Sequence, residues 1–172
     1  MENNKVYITD VLLERSRNLL NSFATAGLEA TEGIVYWFGF EAPNASIVTT
    51  LLVPDAVANW GCISTSAEAN AEVLMSVVGT PLVLIGQAHS HPGSNVCHSP
   101  IDDRQTFPRF EGAISVVFPY FARRRVDLFK CGVHRFTCGA YEIVPPKSNV
   151  ENLIVLPGER EFRKHSSSNR ND

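Results

Sequence analysis

Residues 87–103 read Gln87-Ala-His-Ser-His-Pro-Gly-Ser-Asn-Val-Cys-His-Ser-Pro-Ile-Asp-Asp103. This stretch contains the spacing His-x-His-x10-Asp, formed by His89, His91 and Asp102. The apolar run at residues 81–88 leads into it and predicts a buried strand. Because side chains at i and i+2 of a strand point to the same face, the two imidazoles are predicted to converge on one point.

Two imidazoles and one carboxylate are a three-ligand set typical of a catalytic Zn²⁺, which keeps its fourth position for water. Five histidines and six aspartates placed at random in 172 residues would give about 0.005 matches to this spacing. The same segment also resembles a helix start, with Ser99 as N-cap, Pro100 at the first helical position and Asp102 in the first turn. The two interpretations are compatible, since a short helix would hold Asp102 rigidly.

The spacing also matches a known family. His89-Ser-His-Pro, six residues, Ser99, two residues and Asp102 resemble the JAMM motif of the JAB1/MPN/Mov34 metalloprotease family, without insertion or deletion. Residues 113–119 are similar to the family strand that follows the motif. The resemblance covers roughly residues 5–145 and depends mainly on the motif loop.

The resemblance implies a further glutamate on an earlier strand, seven residues before a glycine. Glu32 and Gly39 supply that pair. Many family members carry another glycine three residues after the glutamate, where this chain has Val35. Glu29 is the rival, but its seventh successor is Tyr36 rather than a glycine. Glu32 is therefore the preferred candidate.

The same resemblance implies roles for these residues. His89, His91 and Asp102 would bind one catalytic Zn²⁺, which lowers the pKa of its bound water from about 15.7 to about 7. Glu32 would act as general base and then general acid. Ser99 would donate a hydrogen bond to the developing oxyanion.

The implied activity is that of a zinc metallopeptidase or isopeptidase. Family analogy points to a bond after the C-terminus of ubiquitin or a ubiquitin-like protein, which would be the substrate partner. The compact length resembles stand-alone bacterial members encoded with ubiquitin-like conjugation enzymes, some of them associated with phage defence. The family also contains peptidases that process sulfur-carrier proteins, and catalytically silent MPN scaffolds that bind a partner. A structural zinc domain is a further alternative, but such sites are generally closed by four protein ligands.

Other potential ligands lie outside this set. Cys131, His134 and Cys138 suggest a second metal site, which would need Cys62 or Cys97 as a fourth ligand. Buried free thiols are the competing interpretation.

The sequence also predicts positions for three residues beside the candidate ligands, namely Cys97, His98 and Asp103. Cys97 and His98 are predicted on the loop surface near the entrance to the site. Asp103 is predicted to face solvent, or to orient a ligand imidazole.

Composition sets further limits. A chain of 172 residues with 44% hydrophobic and 19% charged residues is predicted to form one globular domain. The net charge of −3 gives no field that would recruit nucleic acid. No apolar run approaches the roughly 20 residues that span a membrane. The start lacks the layout of a signal peptide, and the four cysteines suit reduced thiols, so a cytoplasmic location is expected.

The periodicity predicts an α/β fold. The resemblance specifies a single MPN/JAMM (cytidine-deaminase-like) domain, with a mixed twisted β-sheet flanked by helices, over residues 1–145. Residues 146–172 are predicted as a C-terminal extension that adds an edge strand and ends in a flexible polar tail. Two further N-caps are predicted, Asp10 for a helix to about Ala26 and Thr65, in a capping box with Glu68, for a helix to about Val78. A strand pair is predicted over residues 126–144.

Overall fold

The computed structural model describes residues 5–26 and 29–158. Within them the α-helices are α1 (Asp10–Thr25), α2 (Ala67–Met75), α3 (Pro100–Gln105) and α4 (Asn149–Asn152), and short 3₁₀ turns cover Tyr120–Ala122, Leu128–Lys130 and Pro146–Ser148. The strands are β1 (Lys5–Thr9), β2 (Ile34–Ala42), β3 (Ala45–Leu52), β4 (Val57–Asn59), β5 (Cys62–Ser64), β6 (Val83–Ser90), β7 (Ile114–Phe118), β8 (Gly132–Thr137), β9 (Ala140–Ile143) and β10 (Leu153–Leu156).

Eight of these strands form one sheet in the order β10-β1-β3-β2-β6-β7-β8-β9, and β4 and β5 form a separate hairpin. The pairs β1–β10, β1–β3 and β6–β7 are parallel, and the other pairs in the sheet are antiparallel. The predicted α/β class with a mixed sheet flanked by helices is confirmed. None of the helices in the described residues is long and apolar enough to span a bilayer.

The centre of the sheet is buried on both faces, as the first six residues of β2 show. Its β-branched and aromatic residues favour a strand. Val35 and Trp37 point to one face and pack with Leu20 of α1. Tyr36 and Phe38 point to the other face, into a second cluster that includes residues of α2 and β5. Close packing on both faces therefore fixes the first part of β2 in position.

The central strands position the candidate site. β6 lies between β2 and β7, with Ile34 opposite His89 on one side and Val117 opposite His89 on the other. The end of β6 and the start of β2 therefore lie side by side. On the other side of β2, Gly39 allows β3 to approach closely, since a Cβ there would lie 1.8 Å from the carbonyl oxygen of Ile47.

Ser99 caps α3 as predicted, but the N-caps predicted at Asp10 and Thr65 are wrong by one residue. The side chain of Thr9 accepts the N–H of Leu12 and is the cap of α1, so Asp10 is its first helical residue. Ser66 accepts the N–H of Ala69 and caps α2, so the box predicted at Thr65 and Glu68 does not form. In each case a neighbouring hydroxyl residue has the extended backbone that a cap requires.

Other boundaries differ in the second half of the chain. Helix α2 ends at Met75, and the predicted strand pair begins at Gly132 rather than at residue 126. A 3₁₀ turn over Leu128–Lys130, capped by the side chain of Asp127, occupies the difference. Leu153–Leu156 pairs in parallel with β1 at the edge of the sheet. The predicted polar tail lies outside the described residues.

Candidate metal centre

Three predicted ligands come together at the end of β6. His89 lies on the strand, and His91 follows it immediately, held where its backbone N–H donates to the carbonyl of Phe118 at 2.9 Å. Asp102 lies in the first turn of α3. All three residues are buried, and their ligand atoms lie within 4.8 Å of one another. Among the described residues they are the group of histidine, cysteine and acidic side chains that has this geometry.

The distances suit one metal ion. The Nε2 atoms of His89 and His91 are 3.2 Å apart. Asp102 Oδ2 lies 3.3 Å from His91 Nε2, and Oδ1 lies 3.9 Å from His89 Nε2. Ligands at about 2.0–2.1 Å from a tetrahedral Zn²⁺ are separated by about 3.3 Å. Because two imidazole nitrogens this close cannot both present lone pairs to each other favourably, the chemistry of the donor set fits a cation between them.

The tautomer of His91 is also compatible with metal binding through Nε2. Its Nδ1 lies 2.9 Å from the backbone carbonyl oxygen of Asn95, which can only accept. The proton of a neutral His91 therefore lies on Nδ1, and the lone pair on Nε2 faces His89 and Asp102. Metal-binding histidines commonly have a hydrogen-bond acceptor at the nitrogen that is not a ligand.

Asp102 is fixed by a capping box. Its Oδ2 accepts the backbone N–H of Ser99 at 2.6 Å, and its own N–H donates to Ser99 Oγ at 3.2 Å. The Ser99 hydroxyl accepts this hydrogen bond, and its contact with the Asp102 carboxylate helps to lower the pKa of that group. Because Ser99 lines the cleft described below, the cap and the oxyanion role are structurally compatible.

Glu32 precedes β2 and is 3% exposed. Its N–H donates to the carbonyl of Asn59 in the β4–β5 hairpin. The next residue, Gly33, is tied to β6 twice, because its N–H donates to Ser90 Oγ at 3.0 Å and its carbonyl accepts the N–H of Ser90 at 3.1 Å. Ser90 therefore anchors the candidate base to the strand that carries His89. Glu29, the rival, is exposed.

The candidate ligands and Glu32 shift one another's pKa values. Burial raises the pKa of Glu32 to about 7, and His91 opposes this shift while Asp102 adds to it. Burial and the neighbouring His98 hold the pKa of His89 well below its ordinary value. Burial alone would raise the pKa of Asp102, but the bond with His91, the field of His89 and the N–H of Ser99 together hold it well below its usual range. The pKa of His91 is raised, because Asp102 and Asn95 outweigh burial.

Glu32, His91 and Asp102 line an open cleft of about 340 Å³. Trp60, at the turn of the β4–β5 hairpin, is 65% exposed and forms part of its wall. The remaining lining residues are Gly61, Pro92, Gly93, Asn95, Cys97 and Ser99. A larger cavity of about 470 Å³, lined by residues of α1 and β10 among others, contains none of the predicted site residues.

Several sequence predictions around the site need correction. Cys97 is exposed and lines the cleft, as predicted, but His98 is not on the loop surface. Its side chain is 3% exposed and stacks on His134, with ring centroids 3.9 Å apart. Asp103 is exposed and contacts His98 Nδ1 at 3.3 Å, so it orients no predicted ligand. Stacking on His134 and burial make this position of the His98 ring more favourable than a solvent-exposed position on the loop surface.

The second metal site suggested by Cys131, His134 and Cys138 does not assemble in the described residues. Cys131 is buried in the core, where burial raises its thiol pKa to about 12. Cys138 is exposed, at a positive φ of 51° in the turn after β8. His134 is occupied by its stack on His98 and accepts the backbone N–H of His98. A strand followed by a tight turn cannot direct all three side chains to one point.

Sequence reasoning missed the backbone support of His91. Tyr120, Phe121 and Ala122 have φ values of 56°, 55° and 54°, a left-handed turn that non-glycine residues rarely adopt. Phe121 N–H donates to the carbonyl of His91 at 2.7 Å, and Tyr120 N–H donates to the carbonyl of Gly93 at 3.0 Å. No sequence signal marks this turn, because none of its residues is glycine or asparagine.

Comparisons with known proteins bear on the site. No protein-family model matches the chain. The chain is similar to a protein of Sinorhizobium fredii (strain NBRC 101917 / NGR234) named probable metalloprotease y4jG, with 24% identity over 136 residues, covering 77% of this chain and 83% of that protein. It also resembles the solution structure of a protein from Desulfitobacterium hafniense, with a TM-score of 0.65 and 12% identity over 89% of this chain and 94% of the other. The second likeness concerns the fold alone.

Proposed function

We propose that this chain is a zinc metallopeptidase of the JAMM type, which hydrolyses a peptide or isopeptide bond. The observation that carries the proposal is the convergence of His89, His91 and Asp102, two of which (His91 and Asp102) line the cleft that also holds the buried Glu32. The name of the Sinorhizobium fredii relative supports the metalloprotease class. The open cleft supports hydrolysis, since a catalytic site needs a coordination position accessible to water and substrate.

When bound, zinc would supply an activated water and polarise the substrate carbonyl. Glu32 would accept the proton of that water and pass it to the departing amine. A carboxyl whose pKa is near 7 is suited to both steps, because it takes up and releases a proton near neutral pH. Ser99 would donate its hydroxyl proton to the oxygen of the attacked carbonyl, while its own oxygen keeps the cap on Asp102.

The substrate we propose is the flexible C-terminal tail of ubiquitin or a ubiquitin-like protein, or a conjugate of it. This step relies on the resemblance of the motif to the JAMM family. Partners would then include enzymes of a ubiquitin-like conjugation pathway, in a bacterial cytoplasm and in a phage-defence setting. A peptidase acting on a sulfur-carrier protein uses the same catalytic groups, so substrate trials distinguish the two.

The test is a cleavage assay on C-terminal fusions of ubiquitin, a bacterial ubiquitin-like protein and a sulfur carrier. Mass spectrometry of the products identifies the broken bond. We expect cleavage that a zinc chelator abolishes and added Zn²⁺ restores, and that Glu32→Gln eliminates while Glu29→Gln retains. A protein that binds zinc yet cleaves no fusion would instead support the silent scaffold.

A further inference from the structure

A chain of buried polar side chains begins at His89 Nδ1, the ring nitrogen that does not face the other candidate ligands. The side-chain nitrogen of Gln87 lies 3.3 Å from it and 3.3 Å from Ser115 Oγ. Ser115 Oγ in turn lies 3.0 Å from His98 Nε2. Gln87, His89 and Ser115 are at most 2% exposed. Because water has little access to these groups, each of them depends on its neighbours for hydrogen bonds.

Metal binding determines which nitrogen of His89 carries the proton. A metal on Nε2 needs the lone pair there, so a neutral His89 must carry its proton on Nδ1. That N–H needs an acceptor, and the side chain within reach is the amide of Gln87. An amide nitrogen cannot accept a hydrogen bond, but the amide oxygen can.

The amide of Gln87 is suited to this exchange. As the structure places it, its nitrogen faces His89, and its Oε1 is buried without a hydrogen-bond partner within the described part of the chain. Rotating the amide by 180° exchanges its two terminal atoms, so that the oxygen reaches His89 Nδ1 and the nitrogen takes the position where Oε1 has no partner. The Ser115 hydroxyl, which can donate or accept, contacts the amide in either orientation and is supported by His98.

We propose that Gln87 is a positioning residue for the metal, whose amide oxygen accepts the Nδ1 proton of His89 and thereby directs Nε2 to the ion. The inference relies on the metal site of the proposed function. It gives the two histidines matching support, since His91 Nδ1 already faces the carbonyl oxygen of Asn95. The support of His91 comes from the backbone, whereas that of His89 comes from a side chain that mutation can change.

The test compares the zinc affinity of two variants by competition with a chromogenic chelator. Gln87→Met keeps a similar length but provides no strong acceptor, and we expect its affinity to fall about 10–100-fold. Gln87→Glu provides only acceptor oxygens while it is ionised, and we expect its affinity to stay within a few-fold of that of the unmodified chain. Glu72→Met, a replacement of similar length at an exposed position in α2, is the control and should bind as the unmodified chain does.

A second measurement uses the unmodified, zinc-loaded protein and does not depend on how the variants fold. Long-range ¹⁵N–¹H spectra of the His89 ring should show a protonated Nδ1 and a zinc-bound Nε2. A zinc-bound Nδ1, or equal affinities for Gln87→Met and the unmodified chain, would overturn this inference and leave the proposed metallopeptidase in place. If the unmodified chain binds no zinc, both proposals fail together.

Discussion

Ser99 and Asp102 hold each other through two reciprocal hydrogen bonds. The N–H of Ser99 donates to Asp102 Oδ2 at 2.6 Å, and the N–H of Asp102 donates to Ser99 Oγ at 3.2 Å. The helix start and the metal-ligand interpretations of this segment thus describe one arrangement. The cap holds the carboxylate toward His89 and His91, which reduces the ordering that metal binding would otherwise require.

Replacing Ser99 by alanine should therefore have two separable effects. Loss of the cap should destabilise the fold by about 1 kcal/mol. Loss of the hydroxyl donor should lower kcat by about 10²–10³-fold. Ser66→Ala is the matched control, because Ser66 caps α2 in the same way but does not line the cleft. Equal losses of kcat in the two variants would show that Ser99 acts only through the stability of its helix.

The metal ligands can be tested by zinc content. Asp102→Asn removes the charged ligand but keeps a similar shape, and we expect it to retain less than about a tenth of the zinc of the unmodified chain after dialysis, because a neutral amide is a poor zinc ligand. Asp103→Asn, one residue further along α3 and exposed, should keep a full complement. Metal analysis of the purified proteins decides this, and full zinc in Asp102→Asn would exclude this carboxylate as a ligand.

The contribution of Glu32 to the stability of the metal-free protein should decrease as the pH rises, which is the opposite of what a carboxylate in an ion pair does. Its pKa is raised from 4.5 to about 7 on folding, so the folded state binds the proton more tightly than the unfolded state does. The contribution of Glu32 to stability is then greatest below pH 4.5 and is lost as the pH rises through 7, by on the order of 3 kcal/mol. Glu32→Gln should remove this loss and be more stable than the unmodified metal-free protein at pH 8. Chemical denaturation at pH 5 and pH 8 measures it, with Glu29→Gln as the unaffected control.

The same carboxyl sets the acid side of the activity profile. Glu32 must be ionised to accept a proton, so kcat/KM should rise with pH up to about 7. A bound cation opposes the upward shift of this pKa, which places the midpoint at or below 7. An activity profile without an acid limb between pH 4.5 and 7 would contradict the role of Glu32 as base.

The left-handed turn under His91 predicts an uncommon mutational result. A left-handed residue other than glycine costs about 1–2 kcal/mol, so Ala122→Gly, at φ 54°, should change the free energy of unfolding by less than about 0.5 kcal/mol or stabilise the fold, even though it removes a buried methyl group. Ala69→Gly, at a buried position in the right-handed helix α2, should cost about 1 kcal/mol. Urea unfolding of both variants compares them, and equal losses would show that Ala122 is not strained.

Where sequence reasoning failed, the reason was local competition or a distant partner. Two neighbouring residues with side-chain oxygens competed for each cap, and their backbone angles decided between Thr9 and Asp10 and between Ser66 and Thr65. His98 was misplaced because its partners come from other segments, with Ser115 on β7 and His134 on β8. A pattern along the chain carries no information about which strand will lie beneath a loop.

The sequence by itself determined the i, i+2 spacing that places His89 and His91 together and the cap that orients Asp102. These depend on chemistry within a few residues of one another, where backbone geometry leaves few choices. Only the tertiary structure decided that Glu32 lies beside the end of β6, tied there by Ser90, and that Gln87 meets Ser115 and His98. Those contacts join residues far apart in the chain, and they form because the packed sheet brings β2, β6 and β7 side by side.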